Sequence, residues 1–63
     1  MIYVYTVKWW ENGKEQSKRI HDYDFTMASF LAEGKAKMFG YAEIYRGYGC
    51  EVFVDAYGRK EEE

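Results

Sequence analysis

The pair Asn12-Gly13 constrains this chain more than any other two neighbours. It separates a run dense in β-branched and aromatic residues, IYVYTVKWW over residues 2–10, from a more polar run, EQSKRIH over residues 15–21. Asn and Gly tolerate the positive φ angles that both central positions of a type I′ turn require, and such a turn matches the natural twist of two paired strands. The sequence therefore predicts a β-hairpin in which Glu11 faces Lys14. That register sets Trp9 opposite Gln16, Val7 opposite Lys18 and Tyr5 opposite Ile20. Because side chains alternate along a strand, Tyr3, Tyr5, Val7, Trp9 and Ile20 share one face. The other face takes Ile2, Val4, Thr6, Lys8 and Trp10 beside Glu15, Ser17, Arg19 and His21. The first face is the expected core side.

A helix follows over residues 25–38. Asp22 or Asp24 can cap its start, since a short carboxylate accepts the free N–H groups of the first turn and complements the helix dipole. Met27, Phe30, Leu31, Gly34 and Met38 recur at helical spacing and predict one apolar stripe against the sheet, with Glu33, Lys35 and Lys37 largely outside it. Gly34 on that stripe predicts a close approach of helix backbone to sheet, at a cost of about 1 kcal/mol relative to Ala. Gly40 is the expected stop, in the left-handed conformation.

YAEIYR over residues 41–46 and CEVFVDAY over residues 50–57 alternate with period two, and Gly47-Tyr48-Gly49 between them reads as a second hairpin turn. A three-residue loop sets Arg46 opposite Cys50, Ile44 opposite Val52 and Ala42 opposite Val54. Ala42, Ile44, Cys50, Val52 and Val54 then face the core, while Tyr41, Glu43, Tyr45, Glu51, Phe53, Asp55 and Tyr57 face outward. The expected fold is α+β with element order ββαββ: a four-stranded, mainly antiparallel sheet with one helix packed on one face. Residues 1–58 form a single domain, and residues 59–63 form a charged, solvated tail.

A chain of 63 residues buries only about 60% of the surface its unfolded form exposes, so one core of this size needs support. A single Cys cannot form an internal disulfide, and no metal-ligand spacing is present. Dense aromatic packing and self-association remain, and seven Tyr, four Phe and two Trp supply the rings. A homodimer is the expectation. No run approaches the roughly 20 apolar residues of a membrane span, and residues 1–5 lack the basic and apolar segments of a signal peptide. The expected location is cytoplasmic, with no membrane partner. Nine basic residues stand against eleven acidic ones, and with Glu61, Glu62 and Glu63 set aside the balance is close to neutral.

The face left bare by the helix carries Ile2, Val4, Trp10, Tyr41, Tyr45, Phe53 and Tyr57, and it is the feature that asks for a function. Monomers seldom leave large contiguous apolar patches open to water, and Trp and Tyr are enriched at interface hot spots. The candidate partner-binding residues are Trp10, Arg19, Tyr41, Glu43, Tyr45, Glu51, Phe53, Asp55 and Tyr57. Rings would supply contact area, and the charges would set orientation. A solvated sheet face whose Tyr residues are merely good strand formers is the bland alternative, in which the chain is a structural accessory domain with no discrete partner.

Single-stranded nucleic acid is the competing ligand. Rings on a sheet can stack bases, and Lys14, Lys18, Arg19, Lys35 and Lys37 could follow a phosphate backbone. The bases are interleaved with Glu11, Glu15, Asp22, Asp24 and Glu33, whereas phosphate binding needs net local positive charge, which disfavours this reading. A carboxylate row of Asp22, Asp24, Glu33, Glu43, Glu51 and Asp55 could instead fill a basic groove on another protein. Catalysis is not expected. His21, Asp22 and Asp24 alternate along an extended segment, and two carboxylates beside a helix start are more often caps. Cys50 is read as a small buried apolar group with no activating partner. No cofactor and no metal is expected.

Taken whole, a Met followed directly by an aromatic strand, W-x-N-G-K at residues 10–14, H-D-Y-D at 21–24, one short helix and the strand Y-A-E-I-Y-R resemble the small standalone reading frames common in bacteriophage genomes. Some proteins of that kind bind and block a bacterial nuclease, polymerase or immune complex. The resemblance implies a non-catalytic inhibitor acting by surface occlusion in the bacterial host cytoplasm. It carries no family site residues.

Overall fold

The computed structural model describes residues 2–58. Its elements are β1 (Tyr3–Glu11), β2 (Lys14–Asp22), α1 (Thr26–Phe39), β3 (Tyr41–Arg46) and β4 (Val52–Gly58). All four strands join one antiparallel sheet in the order β2-β1-β3-β4, so β1 and β3 are central and β2 and β4 are the edges. The expected ββαββ fold is the one observed. The tail at residues 59–63 lies outside the described residues.

The first hairpin forms in the expected register. Asn12 and Gly13 take φ angles of 54° and 80°, and the pairs run from Glu11 with Lys14 to Tyr3 with Asp22. Tyr5, Val7 and Trp9 are buried, and Ile20 packs against them. Tyr3, the last of that face, lies at the margin and stays exposed.

The helix starts where its acids can serve it. Asp24 Oδ1 accepts the Thr26 N–H at 2.9 Å, and Asp22 accepts from Tyr23 at 2.8 Å and Met27 at 3.1 Å. Both aspartates thus satisfy N–H groups that the first turn leaves without a partner. The Thr26 backbone N–H, and after it the Thr26 side-chain hydroxyl, hold the Asp24 carboxyl below the usual carboxylate range by hydrogen bonding. Gly40 ends the helix at φ 100°, donating its N–H to the Ala36 carbonyl at 2.7 Å.

The helix presents a different face to the sheet from the one its bulky residues suggest. Ala28 and Ala32 are the buried pair, supported by Leu31 and Ala36, with Phe25 packed in from just ahead of the helix. Met27, Phe30 and Met38 point to solvent, and no neighbouring atom lies within 4 Å of a side-chain position at Gly34. The physical reason is volume. The sheet already supplies Tyr5, Trp9 and Tyr57 on that side, and a second bulky layer would hold the helix away. Alanines at i, i+4 and i+8 let it settle onto the rings. Tyr5 meets Phe25 edge-on at 6.0 Å, and the Lys35 ammonium lies 4.4 Å above the Trp9 ring. Val7 and Ile44, neighbours in the sheet, are fully buried at the centre.

The second hairpin departs from its expected register. The connection is segment 47–51, longer than three residues, with Gly47 at φ 102° and Cys50 at φ 58°. Arg46 therefore faces Val52, not Cys50, and Ala42 faces Tyr57, not Val54. A bulge at Val54 leaves that residue without an opposite number, since Ile44 pairs with Asp55 while Tyr45 pairs with Phe53. One extra residue reverses the alternation beyond it. Cys50, expected in the core, sits in the loop and donates its N–H to the Gly47 carbonyl at 3.2 Å. Val52 is exposed at the sheet end, and Val54 packs against the core.

Candidate protein-binding face

The side of the sheet away from the helix is built in cross-strand rows. One row runs Glu15, Trp10, Tyr41; the next runs Ser17, Lys8, Glu43, Ala56; a third runs Arg19, Thr6, Tyr45, Phe53. Adjacent rows put rings in register for contact. Trp10 lies 5.9 Å from Tyr41 in a tilted pair, and Tyr45 meets Phe53 edge-on at 5.6 Å. Such pairs contribute about 0.5–1.5 kcal/mol beyond simple burial. Thr6, flanked across the strands by Arg19 and Tyr45, forms a buried floor.

Glu43 organises the centre. Its Oε2 accepts a hydrogen bond from the Tyr41 hydroxyl at 2.8 Å, and its Oε1 accepts one from the Tyr45 hydroxyl at 2.9 Å. Residues at i−2 and i+2 share a face of the strand, so the alternation places both phenols within reach of one carboxylate. Burial and then the Glu43 carboxylate push the Tyr41 phenol up to about 12. For Tyr45 the hydrogen bond to Glu43 is the larger cause, and its phenol is also raised. Lys8 completes the cluster, with its ammonium 4.8 Å from the Tyr45 ring centre and 3.7 Å from Glu15. The charges on this face are therefore mixed, and the carboxylate occupies its middle.

At the far end Tyr48 folds back over β2. The Arg19 guanidinium sits 5.2 Å from the Tyr48 ring and donates a long hydrogen bond, 3.4 Å, to its carbonyl, while His21 lies 6.4 Å away. The Gly47 N–H, donating to the Val4 carbonyl at 2.9 Å, ties the same loop to β1.

The structure brings together Trp10, Arg19, Tyr41, Glu43, Tyr45 and Phe53 of the residues nominated from sequence. Three others lie elsewhere. Asp55 and Tyr57 fall on the helix side because of the Val54 bulge, and Tyr57 packs against the core. Glu51 belongs to the loop, where its carboxylate accepts the Gly49 N–H at 3.2 Å and lies against Gly47. Lys8 and Thr6 belong to the face by alternation alone and were within reach of that argument. Tyr48 was not, since a loop residue has no strand parity to read.

No group of three metal-ligating side chains occurs among the described residues. Asp22 and Asp24 are occupied as helix caps. A shallow depression of about 270 Å³ lies between α1 and β4, lined by Glu33, Ala36, Lys37, Tyr57 and Gly58, away from the aromatic face. No helix among the described residues is long and apolar enough to cross a membrane. Comparison of the chain with protein-family models, with curated proteins and with solved structures gives no match.

Proposed function

We propose that the bare sheet face docks onto a larger folded protein and that the chain acts by covering that surface, without chemistry of its own. The observation that carries this reading is the state of the rings. They are ordered in contacting pairs, with Tyr41 and Tyr45 held by Glu43, yet Phe53 remains 56% exposed on a face the helix does not cover. Rings already held in place lose little freedom on binding, which is what makes such a surface effective. Lys8, Arg19 and Glu43 supply both signs of charge for orientation. The likeness to small bacteriophage proteins extends the proposal to a bacterial nuclease, polymerase or immune complex as the covered partner, with inhibition by occlusion.

Affinity purification of the tagged chain from its native host, followed by mass spectrometry, identifies the partner. Binding of the purified pair is then measured for Phe53→Asp and Trp10→Ala. Each is expected to weaken it by about tenfold or more, as truncation of an aromatic hot spot does. Unchanged affinity in both variants would remove the sheet face from the interaction. Retention on a single-stranded oligonucleotide column that falls with salt would favour nucleic acid instead. Glu43 at the centre of the rings argues for flow-through.

A further inference from the structure

The outward side of α1 is as apolar as the side that meets the sheet is small. Met27, Phe30 and Met38 are 58%, 69% and 68% exposed. With Gly34 they follow spacings of three, four and four residues, so at 100° per residue they fall within an arc of about 80°. That arc lies opposite Ala28 and Ala32, which face the core. Gly34 sits within it as a notch, open on all sides where a side chain would stand.

We infer that this strip is a two-fold interface with a second copy of the same chain, formed by antiparallel packing of the two helices. The pattern is complementary to itself. Met27 and Met38 straddle a midpoint beside Ala32, and Phe30 and Gly34 straddle the same midpoint to within half a residue. A two-fold axis there sets each Phe30 over the partner's Gly34 and each Met27 against the partner's Met38. An isologous contact needs this property, in which residue i meets j while j meets i. Gly in the notch lets the helix axes approach to the short end of the usual 8–10 Å range.

The area agrees with a weak dimer. Large side chains of this kind expose about 200 Å² each when free, so Met27, Phe30 and Met38, each exposed by more than half, offer on the order of 400 Å² per copy. Two copies together reach roughly 800 Å², below the roughly 1,000 Å² of a stable interface, which places the contact among weak, transient ones. Glu33, on the rim near the axis, comes close to its own symmetry mate, which weakens the contact further. Micromolar dissociation is the expectation. The sheet face stays free, so this interface and the docking of a larger partner are independent of each other.

Sedimentation equilibrium from micromolar to sub-millimolar protein should show a concentration-dependent dimer. Phe30→Asp and Gly34→Gln should each weaken it about tenfold or more. The second variant separates interface from fold, because the new side chain meets open space in the monomer and removes a helix-interior Gly, so its thermal melt should be at or above that of the parent. The exchange Phe30→Gly with Gly34→Phe swaps knob and notch within each chain, and it should restore association. A monomer throughout the range, a dimer indifferent to both single variants, or a folded double exchange that stays monomeric would each overturn the assignment.

Discussion

In the first hairpin two turn residues, Asn12 and Gly13, hold nine residues of β1 against nine of β2 without a slip. In the second, segment 47–51 closes the strands more loosely, and the ladder breaks at Val54. The difference lies in where register comes from. A two-residue turn transmits its geometry directly to the strands it joins. A longer loop leaves the incoming strand free to slide, and its position is then set by what it packs against. For β4 that is the core, which takes Tyr57 opposite Ala42, while Phe53 goes to the other side against Tyr45.

The sharpest way to break this comparison is to treat Tyr57 and Phe53 alike. Simple alternation makes them equivalent, but the bulge does not. Tyr57→Ser should cost about 3 kcal/mol by removing a ring packed on the core, whereas Phe53→Ser should cost only about 1 kcal/mol, the worth of its edge-on pair with Tyr45. Urea denaturation of both variants checks this, and equal losses would put both rings back on one face.

The turns themselves supply the next contrast. Gly13→Ala forces a side chain into φ 80° and should cost about 1–2 kcal/mol. Gly49→Ala has no positive φ to maintain and meets only the flexible Glu51 carboxylate, so it should change stability by less than about 0.5 kcal/mol. Thermal melts of the two variants compare a turn that dictates register with a loop that does not.

The smallest effect concerns Glu43. A phenol whose folded value stands above its ordinary 10.0 contributes stability that is complete below about pH 10 and lost as pH climbs through about 12 for Tyr41. Phenolate absorbance should therefore show a phenol that ionises only near pH 12. Glu43→Gln should lower Tyr45 more fully than Tyr41, because the hydrogen bond is the leading cause for Tyr45 and burial is the leading cause for Tyr41. Equal shifts in both would mean that the Glu43 hydrogen bond, and not burial, governs Tyr41.

What the sequence showed follows the same division. The first hairpin, the two capping aspartates, the Gly40 stop and helix bounds within one residue were legible because each depends on residues near one another in the chain. The inward face of α1 was not. Met27, Phe30 and Met38 outweigh Ala28 and Ala32 in any reading by hydrophobicity, although packing against the large rings of the sheet selects the small residues. The positive φ of Cys50 and the bulge at Val54 likewise have no local signature, and they moved Asp55 and Tyr57 off the candidate face. Six of the nominated residues stayed together because five of them, Trp10, Arg19, Tyr41, Glu43 and Tyr45, belong to strands whose parity was right, and Phe53 lies before the slip.

The strand order β2-β1-β3-β4 leaves two kinds of margin. Along β2 the margin is crowded with Lys14, Glu15, Lys18 and Arg19, and along β4 it is interrupted by an irregular step. Charged or bent borders are poor templates for another chain's backbone. Growth of the β-layer into a ribbon or fibre by strand addition is thereby discouraged at both limits.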